Sequence, residues 1–260
     1  MRIKWAVGGL LAMLLVSVAA YAELTDEIQV YTDDINTPRE MGLEVHFNTT
    51  PQGRYRQAYV GEVTPHHGVR LTPEFSYGLN DHWELGAYLP MVRDDAGNYY
   101  LAGLKGRVKW LPVQQATHHG AGWYGGLNVE LANVGKKFEP VAWSSEFRFI
   151  GGYRTEQWLF GFNPIFGKDY SDGSAGNAPN FELVLKIARH VTPTLMLGLE
   201  QFTDFGATDN FDKLADQARS LYAVVDFDNE IVPFNIGVGR GLTSAADAWT
   251  IKAILEIEFH

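Results

Sequence analysis

From Met41 to the end of the chain, apolar side chains return at every second position, with polar or charged residues between them. Met41, Leu43, Val45 and Phe47 alternate with Gly42, Glu44, His46 and Asn48. Val69, Leu71, Phe75, Tyr77 and Leu79 alternate with Arg70, Thr72, Glu74 and Ser76, and after a short Asn80-Asp81 turn the beat resumes at Trp83, Leu85, Ala87 and Leu89. A period of two belongs to an extended strand with two unlike faces, and runs joined this tightly make a hairpin. The pattern continues over 99–111, 121–133, 142–153, 156–167, 179–190, 194–206, 216–227, 231–241 and 247–259, which with the first three runs predicts twelve strands. Connections after strands 2, 6, 8 and 10 are short, and those after strands 1, 7 and 9 are long and rich in Gly, Asp and Asn. The linker 112–120 is longer than such an alternation wants, so the strand count stays open there by one hairpin.

A soluble β-sandwich alternates in the same way, so the two faces must decide. The apolar face carries Trp83, Trp110, Trp123, Trp143, Trp158 and Trp249 near strand ends, where rings sit at lipid headgroups in a transmembrane barrel. The opposite face carries Glu44, His46, Arg70, Glu74, Glu84, Lys105, Arg107, Lys109, Glu130, Glu146, Arg148, Glu182, Lys186, Glu200 and Lys252, together with Asp226 and Glu256. That face suits a watery lumen better than a dry core, and its first fifteen residues are the candidate pore lining. The expected fold is all-β, a closed antiparallel transmembrane barrel of about twelve strands over residues 40–260.

The start of the chain gives an address. Arg2 and Lys4 precede an apolar run from Trp5 to Ala19, and Ala20-Tyr21-Ala22 follows. Residues 1–22 therefore read as a secretory signal peptide, because the run falls short of the roughly 20 residues that a retained anchor helix needs. No cysteine exists to carry a lipid or form a disulfide, and no second long apolar run supplies a helical span. Without the leader the chain keeps 19 basic residues against 31 acidic ones, formally −12, so nucleic acid is not an expected partner. Trp249, Ile251, Ala253, Leu255, Ile257 and Phe259 form one apolar stripe at the C-terminus. The stripe resembles the terminal signal of outer-membrane barrels, with His260 as a departure after the aromatic residue. A Gram-negative-type outer membrane is the expected location, and its lipid the expected surroundings.

Three segments carry a family resemblance: EIQVYTDDIN from Glu27, GLEVHFN from Gly42, and RLTPEFSYGLNDHWELGAYLP from Arg70. They resemble the outer-membrane family described as meta-pathway phenol-degradation proteins or transporters. The resemblance implies a barrel concerned with outer-membrane permeability and brings no catalytic or binding residues with it.

Motifs for chemistry are sparse. The chain has no GxSxG and no HExxH, and no Ser and His pair on a lipid-facing strand, so an enzyme is not expected. His66-His67 and His118-His119 offer adjacent residues that point to opposite sides in extended chain, which suits solvated loops better than a metal. The glycines of Gly237 to Gly241 end a strand with no helix after it, unlike a phosphate-binding loop. Neither metal nor cofactor is expected. The functional expectation is a narrow channel or transporter for small aromatic or polar solutes. A structural or loop-binding barrel without transport, or an outer-membrane lipid-modifying enzyme, is the alternative.

Within that reading, Lys105, Arg107 and Lys109 form a basic column on one strand, which either sets selectivity by drawing anions or is neutralised by Glu84 or Glu130. Val184 is expected to point into lumen water and Leu183 and Leu255 into lipid. The acidic stretch Glu23 to Pro38 either hangs in the periplasm or folds inward as a plug, and Ile28, Val30 and Tyr31 give it apolar surface to pack. An even strand count places both termini in the periplasm and the 51–67, 168–178 and 207–216 loops outside.

Overall fold

The computed structural model describes residues 26–115, 121–228 and 232–259. The predicted leader, Glu23 to Thr25 and the His118-His119 pair lie outside them. Among the described residues, twelve antiparallel strands run in chain order around a closed barrel. They are β1 (Met41–Gln52), β2 (Val69–Asn80), β3 (Trp83–Tyr88, resuming at Met91–Arg93), β4 (Tyr99–Leu101, resuming at Gly103–Val113), β5 (Gly122–Val134) and β6 (Trp143–Arg154). They continue as β7 (Trp158–Asp169), β8 (Asn180–Thr192), β9 (Leu195–Ala207), β10 (Arg219–Phe227), β11 (Phe234–Gly241) and β12 (Trp249–Phe259). Each strand pairs with its sequence neighbours, and β1 pairs also with β12, from Met41↔Phe259 to Thr49↔Ile251. Closure leaves no sheet edge, so backbone polar groups are satisfied without water. The sandwich alternative is thereby excluded.

The breaks in β3 and β4 share a cause. Pro90 has no N–H to give the ladder, so β3 pauses there, while the Ala102 N–H leaves the regular pairing to reach the Pro90 carbonyl at 2.7 Å. The long connections 53–68, 135–142, 170–179 and 208–218 share one end of the barrel with 94–98 and 242–248. The other end has the turns 81–82, 155–157 and 193–194, and the longer 114–121 and 228–233. The last of these departs from the short turn expected after strand 10.

Outward residues such as Leu71, Phe75, Leu131, Phe147, Leu199 and Leu255 are exposed. They form the apolar wall that a bilayer requires. Trp83 stacks on Trp110 at 5.7 Å near the short-turn end, where Trp123 and Trp158 also lie, and Trp143 and Trp249 mark the long-loop end. Arg189 lies 5.5 Å over Trp158 and Arg240 5.0 Å over Trp249, so a cationic head stands at each belt.

The lumen is filled by the chain itself. Residues 26–37 run inside the barrel, where Ile28 packs on Tyr222 and Val224, and Val30 on Ile165 and Val184. Tyr31 joins Leu111, Tyr124, Ile150 and Leu159. Val184, expected to meet water, is only 1% exposed because Val30 covers it. The segment leaves at the short-turn end across Gly78, where a Cβ would overlap the Thr37 carbonyl; a residue without a side chain permits that crossing. β1 starts and β12 ends at the short-turn end, but Asp26 lies inside the barrel against Asn48 and Lys105. Of the two courses expected for Glu23 to Pro38, the described residues 26–37 take the inward one, held within the lumen by apolar and ionic contacts.

Candidate functional site

The strands' inward positions bring every predicted pore-lining residue to the barrel interior. Ladder register places opposite charges across from one another, as in Glu84↔Lys109, Arg107↔Glu130 and Lys186↔Glu200. Arg107 donates from Nε to Glu74 at 2.6 Å, its Nη1 stands 2.7 Å from Glu84 as an ion pair, and Lys109 lies 3.2 Å from Glu84. Lys105 sits 3.0 Å from Asp26 and 3.3 Å from Glu130. Across the barrel, Lys186 lies 3.1 Å from Glu200 and 2.7 Å from Asp226, and Lys252 lies 2.5 Å from Glu200. Arg148 pairs with Glu146 at 2.8 Å, and Arg154 with Asp33. In such buried pairs the Coulomb gain roughly cancels desolvation, so their net contribution is small, while an orphaned partner is costly.

The same wall holds residues 26–37. Asn163 accepts the Tyr31 N–H at 2.7 Å and donates to the Tyr31 carbonyl at 3.0 Å, completing the hydrogen bonds of an extended residue that has no strand beside it. The Tyr31 hydroxyl meets that of Tyr88 at 2.9 Å, and the Arg148 guanidinium lies 4.5 Å over the Tyr31 ring. Lys252 donates to the Ile28 carbonyl at 2.8 Å, and the Asn36 N–H reaches Glu84 at 2.8 Å. Asn163 and Tyr88 were not singled out from sequence, although both fall on inward positions of their strands.

Two cavities flank this segment. The one toward the long loops, about 200 Å³, is lined by Lys105, Glu130, Glu146, Arg148 and Glu182 of the predicted set. The one toward the short turns, about 1020 Å³, is lined by Glu44, Lys186, Glu200 and Lys252. His46, Arg70, Glu74, Glu84, Arg107 and Lys109 face inward but lie outside both cavities, buried within the wall.

Over the long-loop cavity, Arg54 ties connection 53–68 to 242–248 through its N–H on Asp247 at 2.9 Å, and its guanidinium meets Glu62 at 2.9 Å. Burial, with Glu139 nearby, pushes the Tyr59 phenol well up. His66 accepts the Gly53 N–H at 3.2 Å, whereas His67 turns to Asp95 at 3.0 Å, so the doubled histidines serve different contacts.

The closed barrel has solved counterparts in fold. The chain has the barrel fold of outer-membrane channels. The COG4313 outer membrane channel from Pseudomonas putida F1 aligns with a TM-score of 0.60 at 14% identity, covering 90% of this chain and 100% of that one. KdgM porin aligns with a TM-score of 0.54 at 7% identity over 84% of this chain and 99% of that one. NanC porin gives 0.51 at 10% identity over the same shares. No protein-family profile matches the chain, and no curated protein sequence does.

Proposed function

We propose that this protein is an outer-membrane barrel that passes small molecules through a narrow lumen. The observation that carries the reading is the pair of cavities, one toward each end of the barrel, with residues 26–37 contributing to the lining of both. The apolar exterior bounded by tryptophans supports the location, and the fold shared with solved channels supports the activity. With residues 26–37 displaced, a twelve-strand lumen lined by inward side chains admits small solutes and not polymers. The resemblance of residues 27–36, 42–48 and 70–90 to the meta-pathway family makes aromatic acids the first solutes to try. Single-channel recording of the refolded protein, with aromatic acids and sugars as blockers, tests this reading. Discrete conductance steps interrupted by an aromatic acid are expected. A folded barrel that never conducts would point to the structural, loop-binding alternative.

A further inference from the structure

Glu44 and His46 are successive inward residues of β1, and Thr72 and Glu74 are successive inward residues of β2. The ladder sets Glu44 directly opposite Glu74, and His46 directly opposite Thr72. Like charges facing each other across a ladder are disfavoured. Here both carboxylates turn to the same imidazole, whose Nε2 lies 3.3 Å from Glu74 Oε2 and 3.6 Å from Glu44 Oε2. One donor atom from each residue fits within 4.8 Å of the others. Donors bound tetrahedrally at about 2.0–2.2 Å from zinc stand roughly 3.3–3.6 Å apart, and the two distances from the imidazole match that spacing.

The surroundings point the same way. Thr72, fully buried and directly opposite His46 in the ladder, has a hydroxyl with no hydrogen-bond partner among the described residues. Arg107 holds the other oxygen of Glu74 at 2.6 Å and so orients that carboxylate from behind, while Gln29 of the lumen segment donates at 3.1 Å to the Glu44 Oε2 that faces His46. Glu44 lines the larger cavity, and its side chain is 17% exposed, which supplies an entry path from the short-turn end.

We propose that Glu44, His46 and Glu74 form a divalent-metal site of the zinc type in the barrel wall, with water or the Thr72 hydroxyl completing the shell. Two carboxylates and one imidazole are donors suited to zinc, and three protein ligands leave a position open. The ion neutralises the opposed carboxylates and, through Gln29 on Glu44, ties the lumen segment to the wall. The site does not depend on transport.

The test uses the full mature chain, refolded in detergent without a histidine tag and stripped with a chelator. Zn²⁺ alone is titrated by calorimetry, and Co²⁺ alone by visible absorption. One ion per chain is expected, with a tetrahedral-type Co²⁺ band and proton release where Nε2 was protonated. His46→Gln and Glu44→Gln should each weaken binding beyond the roughly 100-fold typical of a supporting residue and abolish the band. A variant with both His66→Gln and His67→Gln should leave both unchanged. Heat-modified gel migration checks that each variant is folded, and Glu44→Gln, at the cavity edge, serves if His46→Gln does not fold. The wild-type titration is decisive by itself: no stoichiometric binding means that the imidazole simply bridges two carboxylates. Undiminished affinity in folded Glu44→Gln or His46→Gln would equally overturn the site.

Discussion

Arg107→Met measures how far the interior charges hold the barrel together. Arg107 is 4% exposed and its guanidinium reaches Glu74 and Glu84 at once, while Met preserves much of the aliphatic stem and removes the charge. Orphaning a buried partner costs about 3–5 kcal/mol. Glu84 keeps Lys109 at 3.2 Å, and Glu74 keeps His46 at 3.3 Å, so the lower end, about 3 kcal/mol, is expected. With a urea slope of roughly 2–3 kcal/mol per molar, the unfolding midpoint should fall by about 1–1.5 M. Tryptophan fluorescence of the protein in lipid vesicles reads this directly. Adding Glu74→Met should recover part of the loss, because one unpaired carboxylate disappears with it. A midpoint unchanged by Arg107→Met would refute the reasoning. So would a Lys105→Gln, Arg107→Gln, Lys109→Gln triple variant that shifts reversal potential with no loss of stability.

Three further outcomes follow from the same geometry. Leu255→Arg, on the exposed lipid face, should cost about 2–4 kcal/mol, and Val184→Arg at least as much, because Val184 lies under Val30; equilibrium unfolding that found Val184→Arg mild would show a wet interior instead. Protease added to intact cells should cut within 53–68, 170–179 and 208–218 and spare 81–82 and 155–157, whereas the reverse pattern would invert the barrel. Asn163→Leu should release the Tyr31 backbone from its clasp and raise conductance while the barrel stays folded, and an unchanged conductance would mean that the clasp does not hold the segment in place.

The strands were legible because lipid on one face and polar groups on the other force a period of two. Boundaries fell within a few residues, as at 99–111 against Tyr99–Val113, since pairing ends where turn residues begin. The break in β3 was not read, although Pro90 announced it, because Leu89 kept the alternation going. Inward direction was likewise legible for all fifteen charged or histidine candidates. What they face was not. A strand pattern says that Val184 points inside, but water or Val30 can occupy that space, and only a contact between residues distant in sequence decides which. Tyr31 shows the same limit, since its apolar surface was evident while its clasp by Asn163, on another strand, was not.

The basic column illustrates how local charge misleads when its partners are unknown. Lys105, Arg107 and Lys109 share one face of β4, which in isolation draws anions, yet each lies within 3.3 Å of a carboxylate from another element. A charge so paired acts outward as a dipole, and its field fades faster than that of the carboxylates left over. Nine acidic against four basic residues line the long-loop cavity, formally −5, and six against three line the short-turn cavity, formally −3. Both approaches to the lumen segment are therefore negative, and the cavities are narrow enough for wall charges to act within a Debye length of about 8 Å. A salt gradient across the reconstituted wild-type barrel should give a reversal potential of cation-preferring sign, diminishing as ionic strength rises. Anion preference would mean that the Lys105 to Lys109 column escapes its partners when the barrel conducts, and that the pairing geometry describes only its closed form.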